Sequence, residues 1–309
     1  MKSPSTQWAV QGERGNPLAL WAIILIARHL GRWAGRLLLY PIVGYFLITL
    51  RQVGRHSRNY LDRVLDRPAG LADVARHFHC FASTLLDRVF VLTGRYEVLD
   101  VRVNGAERLL DYARRRQGCL LMGSHLGSFE VLRCMARTRP EMRIKILMHR
   151  EQNPMMMRVV ETLDPDMARS VIDTGARDTD RILEIQQALE DGYCVGLLGD
   201  RVYEDERLAI CGFLGGKSRF PTSPYLLASM LQVPLILCFA LYRGGNRYDI
   251  HFEELAHHLQ IPRATRQDEL QAWAQRYASR LEHYVRMAPY NWFNFYDFWS
   301  VPNAIIERP

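Results

Sequence analysis

The spacing of apolar positions changes twice along the chain. Before residue 51, two uncharged apolar stretches (15–27 and 37–50) flank Arg28, His29, Arg32 and Arg36. Each is shorter than the ~20 residues that cover a bilayer. On a helix Arg28, Arg32 and Arg36 fall at i, i+4 and i+8, a cationic stripe with apolar residues on the other faces. This is the pattern of a helix lying in a membrane interface, and Pro41 is expected to kink it. Two other readings of the same residues are a buried helix whose arginines pair with acids elsewhere and a longer span whose arginines snorkel. Over 71–92 apolar residues recur at helical spacing (Val74, Phe78, Phe81, Leu85, Val89).

Thereafter strand-length apolar runs at 98–103, 119–123, 144–148, 170–173, 194–198 and 235–241 alternate with helical segments at 106–116, 129–137, 154–163 and 179–190. Alternation of this kind predicts helical crossovers between parallel strands. The expected fold class is α/β, a central, mainly parallel sheet flanked by helices, with an N-terminal membrane-associating helix. Residues 248–252, after Gly244-Gly245, are expected to add an antiparallel edge strand, and 267–287 a long amphipathic helix. The domain reading is a membrane-associating segment over 1–70 and a catalytic domain over 71–309.

Charge sharpens the division. Of 40 basic residues 37 are arginine, and residues 1–70 hold ten basic residues against three acids, while the remainder carries thirty of each sign. An excess confined to an apolar arm points to an anionic phospholipid surface rather than to nucleic acid. The six cysteines form no C-x-x-C pair and no His stands at a zinc-like spacing from them, so they are expected to be reduced core residues and no metal is expected. No A-x-A site closes the first apolar run, which argues against a cleaved signal.

Several catalytic signatures fail. The nucleophile elbow G-x-S-x-G is absent. Gly216-Lys217-Ser218 ends like a phosphate-binding loop, but its first glycine would have to be Cys211. His77 and His79 point to different helix faces, and His257-His258 are adjacent, so neither pair makes a metal site alone.

One segment remains: Leu120-Leu121-Met122-Gly123-Ser124-His125-Leu126-Gly127-Ser128-Phe129-Glu130. An apolar strand runs into a small-residue turn with a His at its carboxyl end, where open α/β sheets place their ligands. The chemistry suits acyl transfer to a hydroxyl. The imidazole takes the alcohol proton as it attacks a thioester, and the carboxylate fixes the tautomer and stabilises the imidazolium. Amides around Gly127 and Ser128, or an arginine, are the candidate oxyanion donors. A His followed five positions later by an acid occurs about once by chance in a chain with 10 His and 33 acids, so the weight rests on context.

That context resembles the late acyltransferases of lipid A biosynthesis, the lauroyl and myristoyl transferases of the glycerolipid acyltransferase superfamily. His149-Arg150-Glu151-Gln152-Asn153-Pro154 is similar to the family's aromatic-Arg-x-x-x-Asn-Pro element, with His149 in the aromatic's place and two residues rather than three between Arg150 and Asn153. Gly199-Asp200-Arg201, Gly212-Phe213-Leu214-Gly215 and Val233-Pro234 follow in family order. The resemblance implies a catalytic His125–Glu130 pair, with Ser124, Gly127, Ser128, Arg150, Asn153, Asp200 and Arg201 contacting substrate. Arg150 and Arg201 would hold phosphate or the carrier's phosphopantetheine. It also implies an acyl carrier protein thioester as donor with no cofactor, a membrane lipid acceptor, and a place on the cytoplasmic face of a bacterial inner membrane. The aromatic ending over 289–299 resembles acyltransferases of aryl-polyene pathways more than the basic ending of the lipid A enzymes, so an aryl-polyene-type or other glycolipid is the expected acceptor and lipid A the alternative. Two further readings are a non-catalytic lipid-binding scaffold and a hydrolase delivering water at the same site.

Overall fold

Five-residue apolar runs with few polar interruptions form strands buried on both faces. The computed structural model describes residues 17–151, 154–175, 178–202 and 206–299. In chain order its principal elements are α1 (Pro17–Thr49), α2 (Arg51–Val64), α3 (Leu71–Leu92), β1 (Asp100–Asn104), α4 (Glu107–Arg114), β2 (Cys119–Gly123), α5 (Leu132–Thr138), β3 (Ile144–Met148), α6 (Pro154–Leu163), α7 (Pro165–Arg169), β4 (Val171–Asp173), α8 (Asp178–Glu190), β5 (Cys194–Leu198), β6 (Leu208–Phe213), β7 (Gly216–Pro221), α9 (Ser223–Leu231), β8 (Leu235–Tyr242), β9 (Arg247–Ala256) and α10 (Arg266–Met287).

Seven strands make one sheet in the order β1-β9-β8-β2-β5-β3-β4. Every neighbouring pair is parallel except β8 and β9. The expected antiparallel strand is therefore present, but it is interior: β1 covers its outer side. β6 and β7 form a separate hairpin, turned by Leu214 and Gly215, both at positive φ. Gln271 and Gln275 of α10 hydrogen-bond to its backbone. The sequence reading left this hairpin out, because 216–221 holds Lys217, Ser218, Arg219 and Pro221 and lacks an apolar run.

Side chains alternate across the sheet with period two. Leu120, Met122, Leu237, Phe239 and Leu241 face a core shared with Tyr277 and Leu281 of α10. Cys119, Leu121, Ile236, Cys238 and Ala240 face Leu109 and Tyr112 of α4. All six cysteines are buried and none is in a disulfide.

The N-terminal arm departs from expectation. The break in α1 is at Gly31 (φ 81°, ψ 175°) rather than at Pro41, because glycine tolerates a φ that other residues resist. Arg28 and Arg32 therefore lie on opposite sides of a break, and the arginines do not form one continuous stripe. Arg32 donates to both oxygens of Asp87 on α3, at 2.6 and 2.8 Å, and to the Gly245 carbonyl. Arg36 donates to Tyr242 Oη at 2.7 Å and to Gly245 O at 2.8 Å. Asp87 is fully buried and also accepts from Tyr248 Oη at 2.8 Å. An unpaired carboxylate there would be costly, so Arg32 is its internal partner, while Arg36 is held at the β8–β9 turn; the side chain of Arg28 lies outside the described ones.

Val43, Tyr60, Leu61 and Val64 join the same apolar core as the sheet. On the outer face of the 31–49 segment, Trp33, Leu37, Tyr40, Tyr45 and Ile48 are exposed, Trp33 and Ile48 by 71% and 72%. Among the described residues no single helix is long and apolar enough to cross a membrane; the 31–49 segment and α2 meet at 98°.

Candidate active site

The register of two buried strands builds the site. β2 and β5 pair from Cys119 opposite Cys194 to Gly123 opposite Leu198, and the Gly199 amide continues the ladder onto Gly123 O at 3.0 Å. His125 and Asp200 each stand two residues past the end of their strand, so they meet at the carboxyl edge. The His125 main-chain N–H donates to Asp200 Oδ2 at 3.0 Å and the ring Nδ1 lies 2.9 Å from Oδ1. Trp292 Nε1 donates to Oδ2 at 3.0 Å. Asp200 is 2% exposed.

Protonation states follow from this environment. Burial raises the Asp200 carboxyl's pKa, but the contacts with His125, the charge of Arg201 and the Trp292 indole outweigh it, so its pKa is lowered and it stays ionised. Burial, reinforced by Arg201, lowers the pKa of His125 against the raising pull of Asp200 and Glu130. The resting ring is neutral. A carboxylate only accepts, so Nδ1 carries the proton and Nε2 keeps a lone pair. The His125 side chain is 30% exposed, which leaves an approach to the ring.

The turn after β2 is pinned from both sides. Gly127 has φ +73°, and a Cβ there would overlap the Ala240 carbonyl, so no other residue fits. Its amide donates to Asn291 O at 2.9 Å and that of Ser128 to Ala240 O at 3.0 Å. Both amides are spent on the fold, which corrects the expectation that they receive an oxyanion. Asn291 in turn accepts from the Tyr242 amide through Oδ1 at 2.6 Å, and the Phe293 amide donates to His125 O at 2.8 Å. The 291–293 segment thus straps the turn after β2.

Glu130, in the short 3-10 turn Phe129–Val131, accepts from Arg88 of α3 at 2.8 Å and from Ser128 Oγ at 3.1 Å. It acts on His125 by charge, whereas the hydrogen bond to Nδ1 belongs to Asp200. Ser124 and Ser128 are buried. Arg201 donates to Phe293 O at 3.3 Å and lies 5.6 Å from the Tyr296 ring. Arg150 sits two strands away from β2, after β3, and its guanidinium donates to Ala168 O and Val171 O at 3.1 and 3.2 Å, a structural use at the end of α7 and the start of β4. Asn153 lies outside the described residues.

Sequence reading missed the direct His125–Asp200 contact, Trp292 as its third member, and Arg88 as the partner of Glu130. The aromatic ending is core: Trp292, Phe293 and Phe298 are buried, and Trp292 meets Phe213 and Phe298 edge to face at 5.1 and 4.8 Å.

A neutral imidazole, oriented by a buried carboxylate at the carboxyl edge of a mostly parallel α/β sheet, is an arrangement suited to general-base chemistry on a transferred or hydrolysed group. The family model of bacterial lipid A biosynthesis acyltransferases matches residues 78–300, from α3 through the aromatic ending, and the chain belongs to that family. It is thereby an acyltransferase of lipid biosynthesis. No individual curated protein matches the chain.

Proposed function

We propose that this chain is a membrane-associated O-acyltransferase that moves an acyl chain from an acyl carrier protein thioester to a hydroxyl of a glycolipid at the cytoplasmic face of the inner membrane. The observation that carries the reading is His125 bound through Nδ1 to buried Asp200, which leaves Nε2 as the base. Nε2 removes the acceptor's hydroxyl proton as the oxygen attacks the thioester carbonyl. The tetrahedral oxyanion forms beside Arg201, whose guanidinium replaces the spent amides. It then collapses, the C–S bond breaks, and the leaving thiolate takes the proton from Nε2. Asp200 holds the tautomer and, with Glu130, stabilises the transient imidazolium; no cofactor enters this reaction.

Membrane association is supported by the exposed face of Trp33, Leu37, Tyr40, Tyr45 and Ile48. For the acceptor, an aryl-polyene-type glycolipid rested on the aromatics over 289–299. Since Trp292, Phe293 and Phe298 are taken up by packing, a glycolipid in general is the firmer assignment, and family membership favours lipid A as the second reading. The test supplies purified protein with acyl carrier protein thioester or acyl coenzyme A and a membrane lipid extract, and follows acyl-lipid and free acid by mass spectrometry. Acyl-lipid from the carrier thioester is expected. Free acid alone would establish the hydrolase, and no turnover of either donor the scaffold.

A further inference from the structure

Apart from the His125 site, a cavity of about 500 Å³ opens between α1, α3, the β8–β9 turn and the residues after α10. Arg36, Arg76 and Arg243 line it, with His79, Tyr242 and Tyr290, and no carboxylate is among the lining residues. Two acids stand close in the bonding pattern: Asp249 pairs with Arg243 at 3.0 Å, so the uncompensated charge of the lining comes from Arg36 and Arg76 and Arg243 adds a donor, while Asp73, which accepts from Tyr290 Oη, pairs with Arg67 at 2.9 Å. Arg76 is exposed, its guanidinium lies 4.4 Å from the Tyr290 ring centroid, and among the described residues no carboxylate pairs with it. His79 Nε2 is buried without a hydrogen-bond partner. Three guanidinium groups converging on an open cavity with an orphaned ring nitrogen make a receptor for an anion with several oxygens.

The cavity's position selects the source of that anion. The Tyr40 ring lies 5.1 Å from that of His79, and Tyr40 belongs to the exposed apolar face of α1 together with Trp33 and Leu37. Arg36 reaches into the cavity from the same helix. A bilayer meeting that face would hold its headgroups at the level of the cavity.

We propose that this cavity binds the phosphate of an anionic membrane lipid, gripped by Arg36, Arg76 and Arg243 while the apolar face of α1 enters the acyl region. The proposal rests on the membrane reading of α1 given above. It is tested with the full chain on vesicles of phosphatidylcholine alone or mixed with phosphatidylglycerol, and by titration with glycerol phosphate. Arg76→Gln is expected to weaken binding to the mixed vesicles about fivefold, the worth of one surface cation, and to leave binding to pure phosphatidylcholine unchanged. Arg263→Gln, an equal loss of charge in the exposed loop after β9 at the other end of the sheet, is expected to change mixed-vesicle binding by less than about twofold. No effect of Arg76→Gln, or equal effects of the two variants, overturns the site. Glycerol phosphate that competes shows that phosphate suffices from either source; failure to compete with the Arg76 effect intact shows that only lipid-borne phosphate is taken. Wild-type protein that binds neither vesicle ends the membrane reading of α1. The titration then decides the cavity alone, since saturable binding lost in Arg76→Gln upholds it and no binding overturns it.

Discussion

His77 makes acid stability a direct probe of the strap over the turn after β2. Its ring is fully buried on α3; Nε2 donates to Trp292 O at 2.9 Å, so Nδ1 accepts from Ser57 Oγ at 2.8 Å. Burial, opposed only by the Trp292 carbonyl, lowers its pKa from 6.5 to about 4. Because the folded value is the lower one, the fold resists protonation: stability is full above pH 6.5 and is lost as the pH falls toward 4. Linkage with these two values gives a loss of about 2 kcal/mol by pH 5 and about 3 kcal/mol by pH 4. The perturbation is His77→Gln, whose amide cannot titrate but offers a donor to Trp292 O. Urea unfolding of both proteins at pH 7.5 and 5.0, followed by tryptophan fluorescence, gives the two pH-dependent losses. His56, His79, His125 and His251, whose pKa values are also lowered, remain in both and cancel. The variant is expected to be weaker at pH 7.5 and to lose about 2 kcal/mol less than wild type between the two pH values. Equal losses in the two proteins would refute the reasoning.

Asp200→Asn is expected to lower kcat/KM at least ~10²-fold with the protein still folded, because the amide no longer selects the Nδ1–H tautomer; near-normal turnover would remove Asp200 from the mechanism. Arg32→Gln leaves Asp87 buried with only Tyr248 and should cost about 3 kcal/mol in thermal unfolding, whereas Arg32→Met with Asp87→Leu should recover much of it; no gain in the double variant would show that the pair's burial is not the cause. Changing Trp33, Leu37 and Ile48 together to Ser should weaken vesicle binding at least ~10-fold, and unchanged flotation with liposomes would show that this face does not meet lipid.

Much of the sheet was legible because β2 and β5 are buried along most of their length and therefore appear as apolar runs at 119–123 and 194–198, while the half-buried β3 at 144–148 is interrupted by Lys145 alone. The position of His125 at the end of such a run was legible for the same reason. Its partner was not. Asp200 lies 75 residues away, and only the β2–β5 adjacency brings it to the ring, whereas Glu130 is near in sequence and anchored instead to Arg88. The arginines of α1 misled because periodicity describes one continuous helix: Gly31 breaks it, and Asp87, an acid buried among the apolar residues of α3, takes Arg32. The aromatics over 289–299 gave no sign in sequence of whether they face a ligand or a core, since packing against Phe213 and Tyr60 depends on tertiary neighbours.

The most direct test of the central claim is the intact-mass profile of membrane lipids from a strain lacking this chain, complemented with wild type or with His125→Ala. Restoration by wild type of a lipid heavier by one acyl chain, and none by His125→Ala expressed at the same level, is the predicted result. The identity of that lipid assigns the acceptor, whether lipid A or another glycolipid. Full restoration by His125→Ala would contradict the assignment of His125 as the base.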